Sequence, residues 1–146
     1  MVPDQISREI HVEAPVTRVW DVLTKAEHVA EWFGDAARVD LREGGELVLG
    51  WTAHGSFHAE ITRVDPPTRF SYRWHKDAEV TTPPIEADST LVEFTLTPDG
   101  DGTLLRVVES GFAGLAVPAE EQAHVAAENT KGWGEELGQL KVYAEK

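Results

Sequence analysis

Cysteine is absent from the 146 residues of this chain. That excludes disulfides, thiolate nucleophiles and cysteine-based zinc sites together. Positive charge is scarce, with 13 Lys+Arg against 26 Asp+Glu and a formal charge of −13. Nucleic acids need a basic footprint and anionic membranes attract basic segments, so neither class of partner fits. Long apolar runs are missing too. Stretches such as Leu47-Val48-Leu49 are far too short to span a bilayer. Met1-Val2-Pro3-Asp4-Gln5 has neither the basic nor the apolar part of a signal peptide, so a cytoplasmic protein is expected. The Gly-x-Ser-x-Gly elbow, the phosphate-binding glycine loop and the dinucleotide fingerprint do not occur.

What is present is an ordinary globular composition, 41% hydrophobic and 27% charged. A chain of this length buries about 68–70% of its unfolded surface, enough for one domain over residues 1–146. Asp and Glu are scattered along it, which reads as a solvating surface and not as an acidic tail.

Hydrophobic periodicity divides the chain. Ile6, Ile10 and Val12 share one face of an alternating strand. Pro15 suits a first helical position, and Val16, Val19, Trp20 and Leu23 follow at helical spacing. Thr24-Lys25-Ala26-Glu27 has the spacing of a capping box, so a second helix is predicted to start near Lys25. It would bury Val29, Trp32 and Phe33 and stop at Gly34. The period then changes from about 3.6 to 2 and stays there for about 75 residues. Six strands carry Val39, Leu47-Leu49-Trp51, Phe57-Ala59-Ile61, Phe70-Tyr72-Trp74, Val92-Phe94-Leu96 and Leu105-Val107. Turn signals at Gly44-Gly45, Asp65-Pro66-Pro67 and Pro98 to Gly102 join them, so the sheet should be antiparallel with seven strands in all. Ala123, Ala126, Thr130, Trp133, Leu137, Leu140 and Ala144 form the stripe of a long terminal helix. Gly132, Gly134 and Gly138 weaken that helix, which must pack closely there or kink between Asn129 and Gly132.

The order strand, two short helices, six strands, long helix is carried by specific residues. They are Ala14-Pro15 with Val19, Trp20 and Leu23, then Glu27-His28-Val29, Trp32-Phe33-Gly34 and Gly44-Gly45. Val64-Asp65-Pro66-Pro67 before Phe70, Gly102-Thr103, Ser110-Gly111-Phe112 and Gly132-Trp133 with Leu137, Leu140 and Tyr143 complete the set. In this the chain resembles the START-related, birch-pollen-allergen-like (SRPBCC) superfamily. Within it, the chain is most similar to the family of the C-terminal domain of the activator of the heat-shock-protein-ninety ATPase. The resemblance implies an α+β helix-grip fold, in which a curved antiparallel sheet wraps the C-terminal helix around an internal cavity. It also implies a small apolar or amphipathic ligand, and homodimers are common among such folds.

Candidate ligand contacts are the inner-face aromatics Trp51, Phe57, Tyr72, Trp74 and Phe94, with core packing as the competing role for each. Trp51 and Trp74 lie nearest strand ends, while Trp20, Trp32 and Trp133 read as structural anchors. Glu109 continues the inward alternation of Leu105 and Val107, so its carboxylate should face the cavity mouth, orient a ligand or act as acid or base. A frayed or bulged strand would leave it solvated instead. Phe112 and Leu115, before the long helix, form either a gating lid or a core cap. The loop Lys76 to Asp88 is long enough to shape the mouth but carries no chemistry of its own. His54 and His58 sit about 13 Å apart if on a strand, too far to share an ion, so neither a metal nor a cofactor is expected. The remaining histidines read mostly as surface residues.

Non-catalytic binding of a small molecule is the leading expectation. One alternative is a polyketide cyclase- or dehydratase-like enzyme with Glu109 as acid/base and Tyr72 as donor. A second is a co-chaperone-like, stress-related protein with a chaperone partner, as the family name implies.

Overall fold

The structure, a computed structural model, describes residues 4–146; Met1, Val2 and Pro3 at the head of the segment weighed above as a signal peptide lie outside them. Strand β1 (Gln5–Val12) leads into helices α1 (Val16–Thr24) and α2 (Ala26–Trp32). Strands β2 (Ala36–Val39), β3 (Glu46–Trp51), β4 (Gly55–Asp65), β5 (Arg69–His75), β6 (Ser89–Asp99) and β7 (Gly102–Ser110) follow. A short 3-10 turn at Phe112–Gly114 precedes helix α3 (Ala119–Ala144). The strands form one sheet in the order β1-β7-β6-β5-β4-β3-β2. Every neighbouring pair is antiparallel. The predicted seven-stranded α+β architecture is therefore the one observed. Among the described residues, no helix is long and apolar enough to cross a membrane.

Alternation decides which side chains enter the core. Leu47, Leu49, Ala59, Ile61, Phe70, Tyr72, Val92, Phe94, Leu96, Leu105 and Val107 are all buried on the inner face. They meet Trp133, Leu137, Leu140 and Ala144 of α3, and Trp20, Leu23, Val29 and Trp32 of the short helices. Burying such side chains contributes about 1.5–3 kcal/mol each, which fixes the register of every inner strand. The stripe on α3 is as expected except at Ala123, which is exposed because it lies in the second turn, short of the sheet.

Two local expectations are corrected. No side chain caps α2, whose N-cap is Lys25. Thr24 instead ends α1, where its hydroxyl donates 2.8 Å to the Trp20 carbonyl. The capping-box spacing is present, but Thr24 is consumed by the preceding helix. Helix α3 is continuous across its glycines. Close packing does not explain them either: a Cβ at Gly132 or Gly138 would meet nothing within 4 Å, and at Gly134 the nearest atom is Arg8 Nη2 at 3.8 Å. Gly34 is different. Its φ is +85°, and a Cβ there would stand 2.5 Å from the Gly50 carbonyl oxygen. It lets the chain turn from α2 into the sheet directly beneath Trp51.

These contrasts predict opposite signs for the same substitution. Gly138→Ala should stabilise the protein by about 1 kcal/mol, because the methyl enters open space and helix propensity improves. Gly34→Ala should destabilise it by at least about 2 kcal/mol through strain and the carbonyl clash. Urea denaturation of both variants checks the pair.

Candidate functional site: an aromatic cavity on a buried carboxylate

Strand β7 delivers Glu109 to the inner face after Leu105 and Val107, as alternation requires, and its side chain is 0% exposed. An unpaired carboxylate in such a position would be strongly destabilising. Here it has four donors from three elements. Trp74 Nε1 of β5 donates to Oε2 at 3.0 Å, and Trp133 Nε1 of α3 donates to Oε1 at 2.8 Å. Asn129 Nδ2 of α3 and the Thr90 hydroxyl of β6 donate to Oε2 at 2.9 and 2.5 Å. Indole and amide N–H groups can only donate, so they match a group that accepts at both oxygens. The carboxylate thus ties the sheet to the helix.

This arrangement turns the polar edges of two indoles toward the core and leaves part of the half-buried Trp74 ring facing outward, while Trp133 stays buried. There a cavity of about 680 Å³ opens between α3 and the ends of β3, β4 and β5. Its apolar wall is Phe33, Trp51, Phe57, Trp74 and Trp133. Phe33 is the hub, with ring centroids 5.1 Å from Trp51, 5.9 Å from Trp74 and 5.4 Å from Trp133. Polar residues rim it: His54, the loop residues Lys76 and Asp77, and Glu128, Lys131, Glu135 and Glu136 of α3. The volume lies within the range of small-molecule sites, as does a mostly apolar wall with a few polar groups.

Glu136 is the unusual member of the rim. Its Oε2 is buried without a hydrogen-bond partner. Desolvation, helped by the neighbouring charge of Glu135 and opposed by the Trp51 indole N–H, pushes its pKa up to about 7. Deeper in the core, burial pushes the Tyr72 hydroxyl well above its usual range, and the charges of Glu109 and Glu136 add to the effect. That hydroxyl also lacks a partner.

The eight candidate residues separate by position. Trp51, Phe57 and Trp74 line the cavity. Tyr72 and Phe94 do not; they are 1% and 2% exposed and pack in the core around Phe70. Glu109 lies behind the wall instead of at the mouth, because Trp74, Trp133 and Asn129 close over it. Phe112 and Leu115 are buried against Ala126 and Val125, away from the cavity wall, which is the geometry of a core cap. Trp133, read as an anchor, is both anchor and wall. The loop after β5 does shape the mouth, through Lys76, Asp77 and Ala78. His75 is buried rather than superficial, and its Nε2 pairs with the Thr82 carbonyl at 2.6 Å, pinning that loop. Glu136 and Phe33 escaped the sequence reading as site residues. The available signal for Glu136 was position: Gly132 and Glu136 are four residues apart, so they share one side of the apolar stripe beside Trp133.

The family described as "Activator of Hsp90 ATPase homolog 1-like protein" matches residues 13–145. No curated protein matches the sequence. Among solved structures, protein MLL2253 from Mesorhizobium loti superposes with a TM-score of 0.78 at 24% identity, covering 95% of each chain. The Aha1 dimer from Colwellia psychrerythraea gives 0.76 at 18% identity, covering 99% of this chain and 97% of that one. DynU16, a putative protein in the dynemicin biosynthetic locus, gives 0.77 at 27% identity over 99% of this chain. This chain spans only 48% of that protein's length.

Two predictions follow from the carboxylates. Glu109→Leu strands four donors in the core and should cost about 3 kcal/mol or more, read as a lower urea midpoint. For Glu136, the folded pKa lies above the ordinary 4.5, so its contribution to stability is complete below pH 4.5 and disappears as pH rises through about 7. Glu136→Gln should therefore gain in urea midpoint relative to the parent between pH 5 and pH 8; an equal difference at both pH values would refute the assignment. The match over nearly the whole chain, on the fold just described, shows that this protein belongs to the Activator of Hsp90 ATPase homolog 1-like family.

Proposed function

We propose that the protein binds a small apolar or amphipathic molecule in the cavity between α3 and the ends of β3, β4 and β5, without chemical conversion. The observation that carries this reading is the five-ring wall around about 680 Å³, open to solvent at a polar rim. Apolar area of that kind gains about 25 cal/mol per Å² when a ligand covers it. The pinned indoles add preorganisation, so little ordering cost attends binding.

Acid–base chemistry at Glu109 has less support. Both its oxygens are engaged by donors belonging to the wall, and a ligand in the cavity meets Trp74 and Trp133 before it could reach them. Its role in this reading is to orient the rings. A co-chaperone role rests on the family name alone. Homodimer formation remains part of the proposal, supported by the dimeric Colwellia relative. A cytoplasmic setting belongs to it as well, on the grounds of an acidic, cysteine-free chain.

Native mass spectrometry of freshly purified protein, followed by denaturing extraction, tests occupancy and oligomeric state together. A discrete apolar or amphipathic mass released on unfolding is expected. Calorimetric titration with a neutral naphthalene probe then locates the site. Trp51→Ala should weaken the probe by about tenfold while lowering stability less than Trp133→Ala, which should lose about 3–5 kcal/mol. Unchanged probe affinity in Trp51→Ala and in Trp74→Ala would refute the cavity as the site.

A further inference from the structure

The binding reading leaves open which end of an amphipathic ligand enters first and what chemistry it carries. We propose that the cavity selects ligands whose buried end is a protonated amine, seated on the indole wall with Glu136 as counter-charge. This rests on the cavity being a binding site.

Three independent features converge on it. The first is an unmet partner: Glu136 Oε2 is buried at the cavity with no donor. A carboxylate oxygen so placed gains most from a charged donor, since charge-assisted hydrogen bonds are about twice as strong as neutral ones.

The second is the wall. The indole N–H groups of Trp74 and Trp133 are committed to Glu109, so neither ring offers the cavity a donor; the half-buried Trp74 presents π surface, with Trp133 packed against it. Indole faces are the best aromatic partners for cations, and Trp51 and Phe33 complete a cage around the same space. The Glu109 carboxylate lies directly behind two of those rings and adds its negative field to theirs. An anionic ligand would face that field, with Lys131 at the rim, unpaired among the described residues, as the lysine left to offset it.

The third is the balance of the rim. Lys76 is paired with Asp77 at 2.7 Å, which leaves Glu128, Glu135 and Glu136 against Lys131, with His54 and His75 beside them. His75 is engaged by Thr82 and stands 3.4 Å from Asp88, so its ring is turned into the loop. The net field at the mouth is therefore negative, in keeping with the −13 of the whole chain. Burial already makes the charged form of Glu136 unfavourable, and an incoming cation relieves that penalty.

Three isosteric probes separate the possibilities: naphthylmethylammonium, naphthylmethanol and naphthoate, titrated calorimetrically at neutral pH and moderate salt. The parent protein should bind the ammonium about tenfold more tightly than the alcohol, and the carboxylate most weakly. In Glu136→Gln the ammonium and the alcohol should converge to within about twofold. Glu9→Gln removes the same charge from an exposed site on β1, at the far edge of the sheet, and should keep the preference. That comparison separates the counter-charge from the general acidity of the chain. Equal binding of ammonium and alcohol in the parent, or a preference that survives Glu136→Gln, overturns this inference and leaves the cavity reading standing. Failure of all three probes to bind overturns both.

Discussion

A single buried carboxylate holds the two halves of this fold at a fixed distance. Glu109 points inward near the end of β7, the second strand of the sheet, and receives hydrogen bonds from β5, β6 and α3 at once. Hydrophobic packing alone would press α3 onto the sheet but is not directional, so it would leave rotation and slide of the helix weakly specified. Four hydrogen bonds on one rigid acceptor remove that freedom, since displacement of α3 by even an ångström would strand Trp133 and Asn129 together. A buried polar network of this kind is costly when incomplete and specifying when complete.

The cavity follows from the same constraint. Away from Glu109, toward Leu137 and Leu140, the space between helix and sheet is filled by Phe70, Tyr72 and Phe94. On the other side the helix presents Gly132 and Glu136 where large apolar side chains would be needed to fill the gap. The indoles cannot swing out to occupy it, because their N–H groups are anchored. An open, rigid, aromatic-walled space remains, with a carboxylate at its edge. Structure and binding capacity are thus two consequences of the same hydrogen bonds.

Much of this was readable in the sequence, for identifiable reasons. Side-chain direction in a strand has period 2, so Leu105 and Val107 placed Glu109 inward without any knowledge of its partners. The alternation through Leu47, Phe57, Phe70 and Phe94, with turn residues between, carried the order and direction of the strands. What alternation cannot convey is depth along the barrel-like curve. Trp51, Phe57 and Trp74 sit at open strand ends and reach the cavity, whereas Tyr72, two residues from Trp74 on the same face, is sealed in the core. The meeting of Trp74, Asn129 and Trp133 on Glu109 joins segments far apart in the chain and has no local signature. Thr24 was misread because one hydroxyl can serve either of two adjoining helices, and the spacing does not say which. Glu136 lay beside the stripe on α3, where a glutamate is ordinarily solvated; only the gap left by Gly132 and the sheet ends makes it otherwise.

The central claim is that Glu109 fixes the orientation of the Trp74 and Trp133 indoles. Indole N–H resonances of 15N-tryptophan-labelled protein test it directly, comparing the parent with Glu109→Gln. The account predicts that the Trp74 and Trp133 signals shift and lose protection from hydrogen exchange in the variant. The Trp32 signal, whose N–H donates to the Val22 carbonyl, should stay in place. If the Trp74 and Trp133 signals are unmoved and equally protected in Glu109→Gln, the carboxylate does not hold the wall and the account is contradicted.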